Sequence, residues 1–308
     1  MSLTAVDLCC GGGGWACAAR GLPIRFVAVA DVDVDALDTW RENHLETHHG
    51  CAVLQADLST AEGLAAVDAA VTDATGDGRV DLVLGAIPCE QISCARAANK
   101  PSTQEMARLY TLIDSLLRWT LGKKPRAWCL EDVIQIERHL PMPLELGSEI
   151  AMRRIDAAEF GPQRRIRTFL GSFPDPPKPR TIRTLDECLL PGPWLTIRNA
   201  GRYERTEGRV GRDCVRVINQ RTKSPTVMTC RSSGHRFRRS YMVEQDVPSV
   251  RQRALRCLDW QEAALLQGFP TDYRFVGSMT KAQKLIGQAI SIDVGRAILS
   301  GIVAEQLG

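Results

Sequence analysis

Leu3-Thr4-Ala5-Val6-Asp7-Leu8-Cys9-Cys10-Gly11-Gly12-Gly13-Gly14, continuing into Trp15-Ala16-Cys17-Ala18-Ala19-Arg20, is the stretch on which the fold turns. A short apolar run enters a block of glycines and leaves it in a helix-like pattern. Strand, tight turn and helix start in that order bring backbone close to a ligand, which residues without a side chain permit. The next apolar run, Arg25-Phe26-Val27-Ala28-Val29-Ala30, ends in Asp31-Val32-Asp33. An acid about 20 positions beyond a glycine turn suits the hydroxyls of a ribose. The lysine of a phosphate-cradling loop is missing, which disfavours ATP. Together these features predict a nucleoside-cofactor site.

Working outward, residues 1–173 alternate strand-like and helix-like segments. The expected strands are Thr4–Leu8, Phe26–Ala30, Val53–Gln55, Leu82–Ile87, Ala127–Leu130 and Arg167–Phe173. Between them, Thr103–Leu121 places Met106, Leu109, Tyr110, Ile113, Leu116, Leu117 and Trp119 on one helical face, expected to be buried. Such alternation predicts an α/β fold, a mostly parallel sheet covered by helices on both faces. Ligands of these sheets sit at the carboxyl ends of strands. Phe173-Pro174-Asp175-Pro176-Pro177-Lys178-Pro179 interrupts regular structure and reads as a linker. Helical patterns return at Trp260–Leu266 and Asp293–Leu299.

Charge divides the chain at that linker. Residues 176–256 carry 18 Lys and Arg against 7 Asp and Glu, while the rest of the chain is net acidic and the whole is +3. A basic block inside an otherwise acidic chain predicts a polyanion-binding surface, with nucleic acid as the partner. No run approaches the ~18 apolar residues of a membrane span. The N-terminus lacks a signal-peptide pattern. A cytoplasmic, non-membrane protein of prokaryotic or phage type is the expectation, and a monomer. Eleven cysteines are an odd number scattered over 308 residues, unlike a disulfide scaffold. No CxxC pair with zinc spacing occurs, so no metal site is expected. His44, His48 and His49 read as a solvated helix end.

Chemistry concentrates at Gly85-Ala86-Ile87-Pro88-Cys89-Glu90-Gln91-Ile92-Ser93, directly after the apolar run Val80–Leu84. A strand that delivers a cysteine into a loop is the layout of a nucleophile, although most cysteines are small buried hydrophobes. Two further segments accompany it: Glu131-Asp132-Val133 at a strand end, and Gln163-Arg164-Arg165-Ile166-Arg167.

In order, and over nearly the whole chain, these motifs resemble the DNA cytosine-C5 methyltransferase family. Residues 7–14 look like its S-adenosyl-L-methionine (AdoMet) loop, which implies cofactor contacts from Asp7, Cys9, Cys10, Gly11, Gly13 and Gly14. Asp31 with Val32, and Asp57 with Leu58, match positions that hold the cofactor's ribose and adenine. Residues 85–93 match the nucleophile loop, with Pro88, the nucleophile Cys89, and Ser93 at the DNA. Glu131-Asp132-Val133 matches the family's Glu-Asn-Val, and residues 160–167 its Gln-x-Arg-x-Arg segment. By resemblance Arg165 and Arg167 hold the base oxygen and the loop, and Gln163 lies at the DNA. Residues 256–270 match a late structural motif. Residues 284–290 match the last motif, which returns Gln288 and Ala289 to the cofactor pocket. In the basic region Arg202, Arg205, Arg209, Arg212 and Arg231 are the expected DNA contacts, arginine being the usual partner of guanine.

The resemblance implies a Rossmann-like AdoMet-dependent methyltransferase domain (1–175), a smaller basic target-recognition domain (176–255) and a C-terminal segment (256–308) returning to the catalytic domain. It implies methyl transfer to carbon 5 of cytosine in double-stranded DNA. The base is flipped out and attacked at carbon 6 by Cys89, with Glu131 neutralising charge on the ring. Departures from the family pattern are Glu90 for glutamine, Asp132 and Gln288 for asparagines, Cys9 for an aromatic that stacks on adenine, and Val32 for a larger residue. Glu90 should raise the thiol pKa by like-charge repulsion. Cys9 and Val32 should loosen cofactor binding. A DNA-binding relative with weak or no activity, or one acting on a modified base, RNA or an altered donor, is the alternative class.

Overall fold

The computed structural model describes residues 2–93, 101–140, 150–189 and 259–308, with the backbone of three short strands between 194 and 257. Two compact units form. The first comprises Met1–Ile155, Ile166–Pro177 and Val294–Gly308; the second comprises Asp156–Arg165 and Lys178–Asp293.

In the first unit, β1 (Leu3–Leu8), β2 (Ile24–Asp31), β3 (Ala52–Gln55), β4 (Leu82–Ala86), β5 (Ala127–Asp132), β6 (Ala151–Asp156) and β7 (Ile166–Ser172) build a sheet of order β3-β2-β1-β4-β5-β7-β6. Strands β1 to β5 pair in parallel, and β7 runs antiparallel to β5. All six expected strands are present. Central β1, β4 and β5 are almost wholly buried and mostly apolar because both of their faces are covered, with Asp7, Glu131 and Asp132 near their carboxyl ends as exceptions. Strand β6 was not expected. It lies at the sheet edge, and of its Ala-Met-Arg-Arg-Ile-Asp sequence only Ile155 is buried, so no apolar run marks it.

Helices α1 (Gly14–Ala18), α2 (Val34–His44), α3 (Ala61–Thr75) and α4 (Thr103–Lys123) connect the strands. Each of the longer three begins at a side-chain cap: Asp33, Thr60, and Ser102 in a capping box with Glu105. Val67 and Val71 of α3 and Leu109, Ile113, Leu116 and Leu117 of α4 cover Val6, Leu8, Val83 and Leu130 in one apolar cluster. Two expectations change here. Tyr110 is 45% exposed, with its hydroxyl 3.0 Å from His139 Nδ1, because it lies at the margin of the α4 stripe. His44 and His48 are buried, and only His49 is exposed. His44 ends α2 one turn after Trp40, on its inner face, and His48 lies in the bend beyond the helix, its amide bonded to the His44 carbonyl; the ring centroids are 5.4 and 6.2 Å from Trp40, and His48 is edge-on to Phe26. Burial lowers their pKa values to about 3 and about 4.

The second unit contains an antiparallel sheet of β8 (Trp194–Arg198), β9 (Met242–Gln245) and β10 (Leu255–Cys257), and helices α5 (Trp260–Gln267) and α6 (Met279–Gln288). The chain closes with α7 (Ile292–Leu307). Among the described residues no single helix is long and apolar enough to cross a membrane.

Candidate active site

Strand order reverses between β1 and β4, which pair directly while the chain proceeds outward to either side. A crevice opens beyond the carboxyl ends of strands at such a point. The loops leaving β1 and β4 are the glycine loop and the Pro88-Cys89 loop. At this junction Leu8 stands beside Gly85, where a Cβ would lie 2.7 Å from the Leu8 carbonyl oxygen and 2.9 Å from Leu130. Glycine at 85 therefore permits the close pairing, and Trp15 Nε1 donates to its carbonyl at 3.1 Å.

The β1 loop turns through left-handed backbone at Cys9 (φ 57), Gly11 (φ 52) and Gly13 (φ 85), the last being the N-cap of α1. Cys9 adopts that conformation without being glycine. Asp31 ties the loop to the end of β2: Oδ2 accepts from the Gly11 amide at 2.8 Å and Oδ1 from the Asp33 amide at 2.9 Å. Burial raises the Asp31 pKa, and these amides oppose the rise. Asp57, exposed after β3, accepts from the amide and hydroxyl of Ser59 at 3.0 and 2.6 Å, and the hydroxyl bond chiefly lowers its pKa. The Leu58 side chain is in the core, so only its backbone can serve a ligand. Val32 is exposed beside Asp31. Beneath the loop, Asp7 is fully buried, and neither carboxylate oxygen has a hydrogen-bond partner among the described residues. Burial, then Asp31, hold its pKa well above the usual range.

Beyond β4 the chain is held to β5 by the Ile87 amide, which donates to the Glu131 carbonyl at 2.9 Å. The Cys89 carbonyl then accepts from the Ile92 and Ser93 amides at 3.2 and 2.9 Å, closing a turn around the cysteine. Cys89 is partly exposed and Glu90 beside it is exposed. Of the described cysteines only Cys9 shares partial exposure. Its thiol is pushed well above the ordinary range by burial and then by Asp31, Asp7 and Asp57, which makes it a poor thiolate. Glu131, 4% exposed, lies 3.2 Å from Arg167 Nε across the β5–β7 pair.

The first unit thus brings together the glycine loop, Asp31, Asp57, the Pro88-Cys89 loop, Glu131 and Arg167. Gln163, Arg165, Gln288 and Ala289 belong to the second unit. There Arg165 Nη2 donates to the Gly287 and Ala289 carbonyls at 3.2 and 3.0 Å. Gln163, expected at the DNA, is 1% exposed and donates to the Leu266 carbonyl and Gln267 Oε1 at 3.1 and 2.7 Å. Its amide nitrogen is bonded inside the unit. Gln267 was not singled out from sequence. It is fully buried and links Gln163 to the Ala289 and Ile290 carbonyls. The expected DNA contacts Arg202, Arg205, Arg209, Arg212 and Arg231 lie outside the described residues.

A glycine turn with its acid at the next strand end, facing a partly exposed Pro-Cys loop, defines a nucleoside-cofactor transferase of Rossmann-like fold. The family model for C-5 cytosine-specific DNA methylases matches residues 3–187 and 194–304, and the chain belongs to that family. It is an AdoMet-dependent DNA cytosine-5 methyltransferase. Among curated relatives it is 23% identical to the type II methyltransferase M1.HphI of Haemophilus parahaemolyticus, over 98% of this chain and 87% of that one. It is 25% identical to the type II methyltransferase M.HgiDI of Herpetosiphon aurantiacus, over 97% and 94%. Among solved structures the S. pombe Dnmt2 methyltransferase superposes with a TM-score of 0.64 at 15% identity, covering 99% of both chains, a likeness of fold.

Proposed function

We propose that Cys89 is the nucleophile, that Glu131 and Arg167 manage charge on the target base, and that the base is a cytosine extruded from double-stranded DNA. The observation that carries this reading is the junction of β4 and β5: one hydrogen bond, Ile87 N to Glu131 O, fixes the exposed thiol's loop to the strand that ends in the buried carboxyl.

The residues fit the cofactor. At Gly11, in left-handed backbone, a Cβ would meet nothing within 4 Å, which leaves room for a ligand against the loop, and the Asp31 carboxylate keeps lone pairs for ribose hydroxyls after accepting the Gly11 and Asp33 amides. Asp31 and the glycine loop would hold the nucleoside and Asp57 the adenine. Bound AdoMet supplies the methyl group. The remaining chemistry belongs to the chain. Cys89 Sγ, as thiolate, bonds to carbon 6 of the ring, and the displaced electron pair is met at ring nitrogen 3 by a proton held at Glu131. Arg167 fixes the Glu131 carboxyl for that task. Once carbon 5 carries the methyl group, solvent takes its hydrogen as a proton, the thiolate is expelled from carbon 6, and the nitrogen-3 proton returns to Glu131. The basic block 176–255 grips phosphates, with Arg202, Arg205, Arg209, Arg212 and Arg231 as its contacts, and extrusion of the base costs a few kcal/mol. We read the chain as a monomeric modification enzyme of a prokaryotic or phage-infected cell, and the likeness to bacterial type II methyltransferases supports the modification role.

Cys89→Ala tests the reading. Methyl transfer to duplex DNA is lost while AdoMet and DNA binding persist, and the unmutated protein forms a covalent complex with a duplex carrying 5-fluorocytosine, since fluorine blocks the final elimination. Retained activity in Cys89→Ala would overturn the assignment.

A further inference from the structure

Three acids gather where β5 meets β7 and the turn at 134–138: Glu131 and Asp132 are buried, Glu137 is partly exposed, and two of the three have a cation. Glu131 pairs with Arg167 at 3.2 Å. Glu137 takes both nitrogens of the Arg154 fork and the Thr168 hydroxyl, the latter at 2.8 Å. Asp132, 2% exposed and opposite Thr168 in the β5–β7 register, has no cation of its own among the described residues. Its Oδ1 accepts from the amide of Val133, the residue that leaves the strand. Its Oδ2 has no hydrogen-bond partner among the described residues. An unpaired carboxylate in such a place carries a heavy desolvation cost, which a proton removes.

We propose that Asp132 is a positioning residue that works as a neutral carboxylic acid: Oδ1 pins the turn after β5, Oδ2 carries the proton, and Glu131 is left as the one carboxyl that Arg167 positions toward the base. This rests on the reading of Glu131 as the group that meets the ring. The charged and titratable neighbours are Glu131 on β5 and Arg167 on β7, with Glu137, bonded to the facing Thr168, and its partner Arg154 on β6. Burial and then Glu131 raise the Asp132 carboxyl well above the carboxylate range, against the Val133 amide and Arg167. An ionised Asp132 would compete with Glu131 for the single guanidinium. A protonated one resembles an amide in having one accepting carbonyl oxygen and a donating group, although with one donor hydrogen where an amide has two, at the position where the family carries asparagine.

The experiment uses the full chain with aspartate carboxyl carbons labelled for NMR, and the Asp132 signal is assigned by its loss in Asp132→Asn. The signal should stay at the protonated position from about pH 5 to about pH 7.5, whereas a midpoint near the ordinary value of about 4 overturns the proposal. Asp132→Asn should methylate within about twofold of wild type at neutral pH and lose less activity on the alkaline side. A loss beyond about tenfold at neutral pH, with AdoMet affinity intact, also overturns it. Asp132→Leu, which cannot hold the Val133 amide, should fall well below Asp132→Asn, and equal activity of the two counts against the pinning role. The carboxyl signal reads out without turnover. A protein that methylates no DNA but keeps the protonated signal would sink the functional reading and leave the state of Asp132 established.

Discussion

Replacing His44 by glutamine should alter the response to acid more than the behaviour at neutrality. His44 is 1% exposed under α2, against Trp40 and His48. Burial chiefly, then Arg20 and His48, lower its pKa from 6.5 to about 3. The sign follows from where the proton binds. The folded protein keeps the ring neutral while the unfolded chain protonates it below about 6.5, so the ring's contribution is present above that pH and is lost as pH falls toward the folded value. At pH 5 the unfolded chain gains about 1.5 pH units of proton binding, or ~2 kcal/mol, and any folded value below about 4 gives the same figure. Asp7 and Asp132 act with the opposite sign, because burial keeps their protons on when folded. The wild-type curve alone therefore mixes both effects, and the difference between wild type and variant isolates the ring. Glutamine should cost about 1–3 kcal/mol near pH 7.5 through lost packing and hydrogen bonding. That gap should close by ~2 kcal/mol at pH 5, a large share of a typical 5–15 kcal/mol. Urea denaturation of both proteins at several pH values measures it. A gap that stays constant from pH 7.5 to pH 5 would refute the reasoning, since it would mean that the folded protein titrates His44 as the unfolded chain does.

Two further outcomes are expected. In Gly63→Ala the new Cβ would lie 2.1 Å from the Asp57 carbonyl oxygen, a backbone atom, so the start of α3 and the Asp57 turn must separate. Stability should fall by ~1–3 kcal/mol and AdoMet affinity with it; calorimetry showing lost stability but unchanged affinity would remove the Asp57 turn from the cofactor site. Glu90→Gln takes away an exposed carboxylate adjoining Cys89. The pH–rate curve for single-turnover methylation should move to lower pH with a gain under about tenfold, because a less basic thiolate is a weaker nucleophile. An unmoved curve would show that Glu90 does not act on the thiol.

How much of this was legible in the sequence follows from what each residue depends on. The central strands were legible because a parallel sheet covered on both faces demands mostly apolar runs, and residues 3–8, 82–86 and 127–130 supply them. The glycine loop, Asp31, Cys89 and Glu131 were legible for a related reason: each stands at or just beyond the carboxyl end of such a run, so finding the strand finds the residue. Strand β6 was not, because an edge strand with Arg153 and Arg154 in it needs no apolar pattern. Nor were the roles of side chains whose partners lie far along the chain. Gln163 and Arg165 look alike as polar residues of one motif, yet both are spent on carbonyls between residues 266 and 289, more than a hundred positions away. His44 carried a usable signal, since its spacing of four from Trp40 continues the inward face of α2, whereas His48 lies in the bend beyond the helix. Polarity argued for solvent and periodicity for the core. The core prevailed because a neutral imidazole can be buried: His48 Nδ1 lies 3.4 Å from the Phe26 amide, and the aromatic neighbours accept both rings without a countercharge. Asp132 extends the same physics to an acid. Burial that leaves a group no cation selects its uncharged form, and the sequence letter alone does not report which form that is.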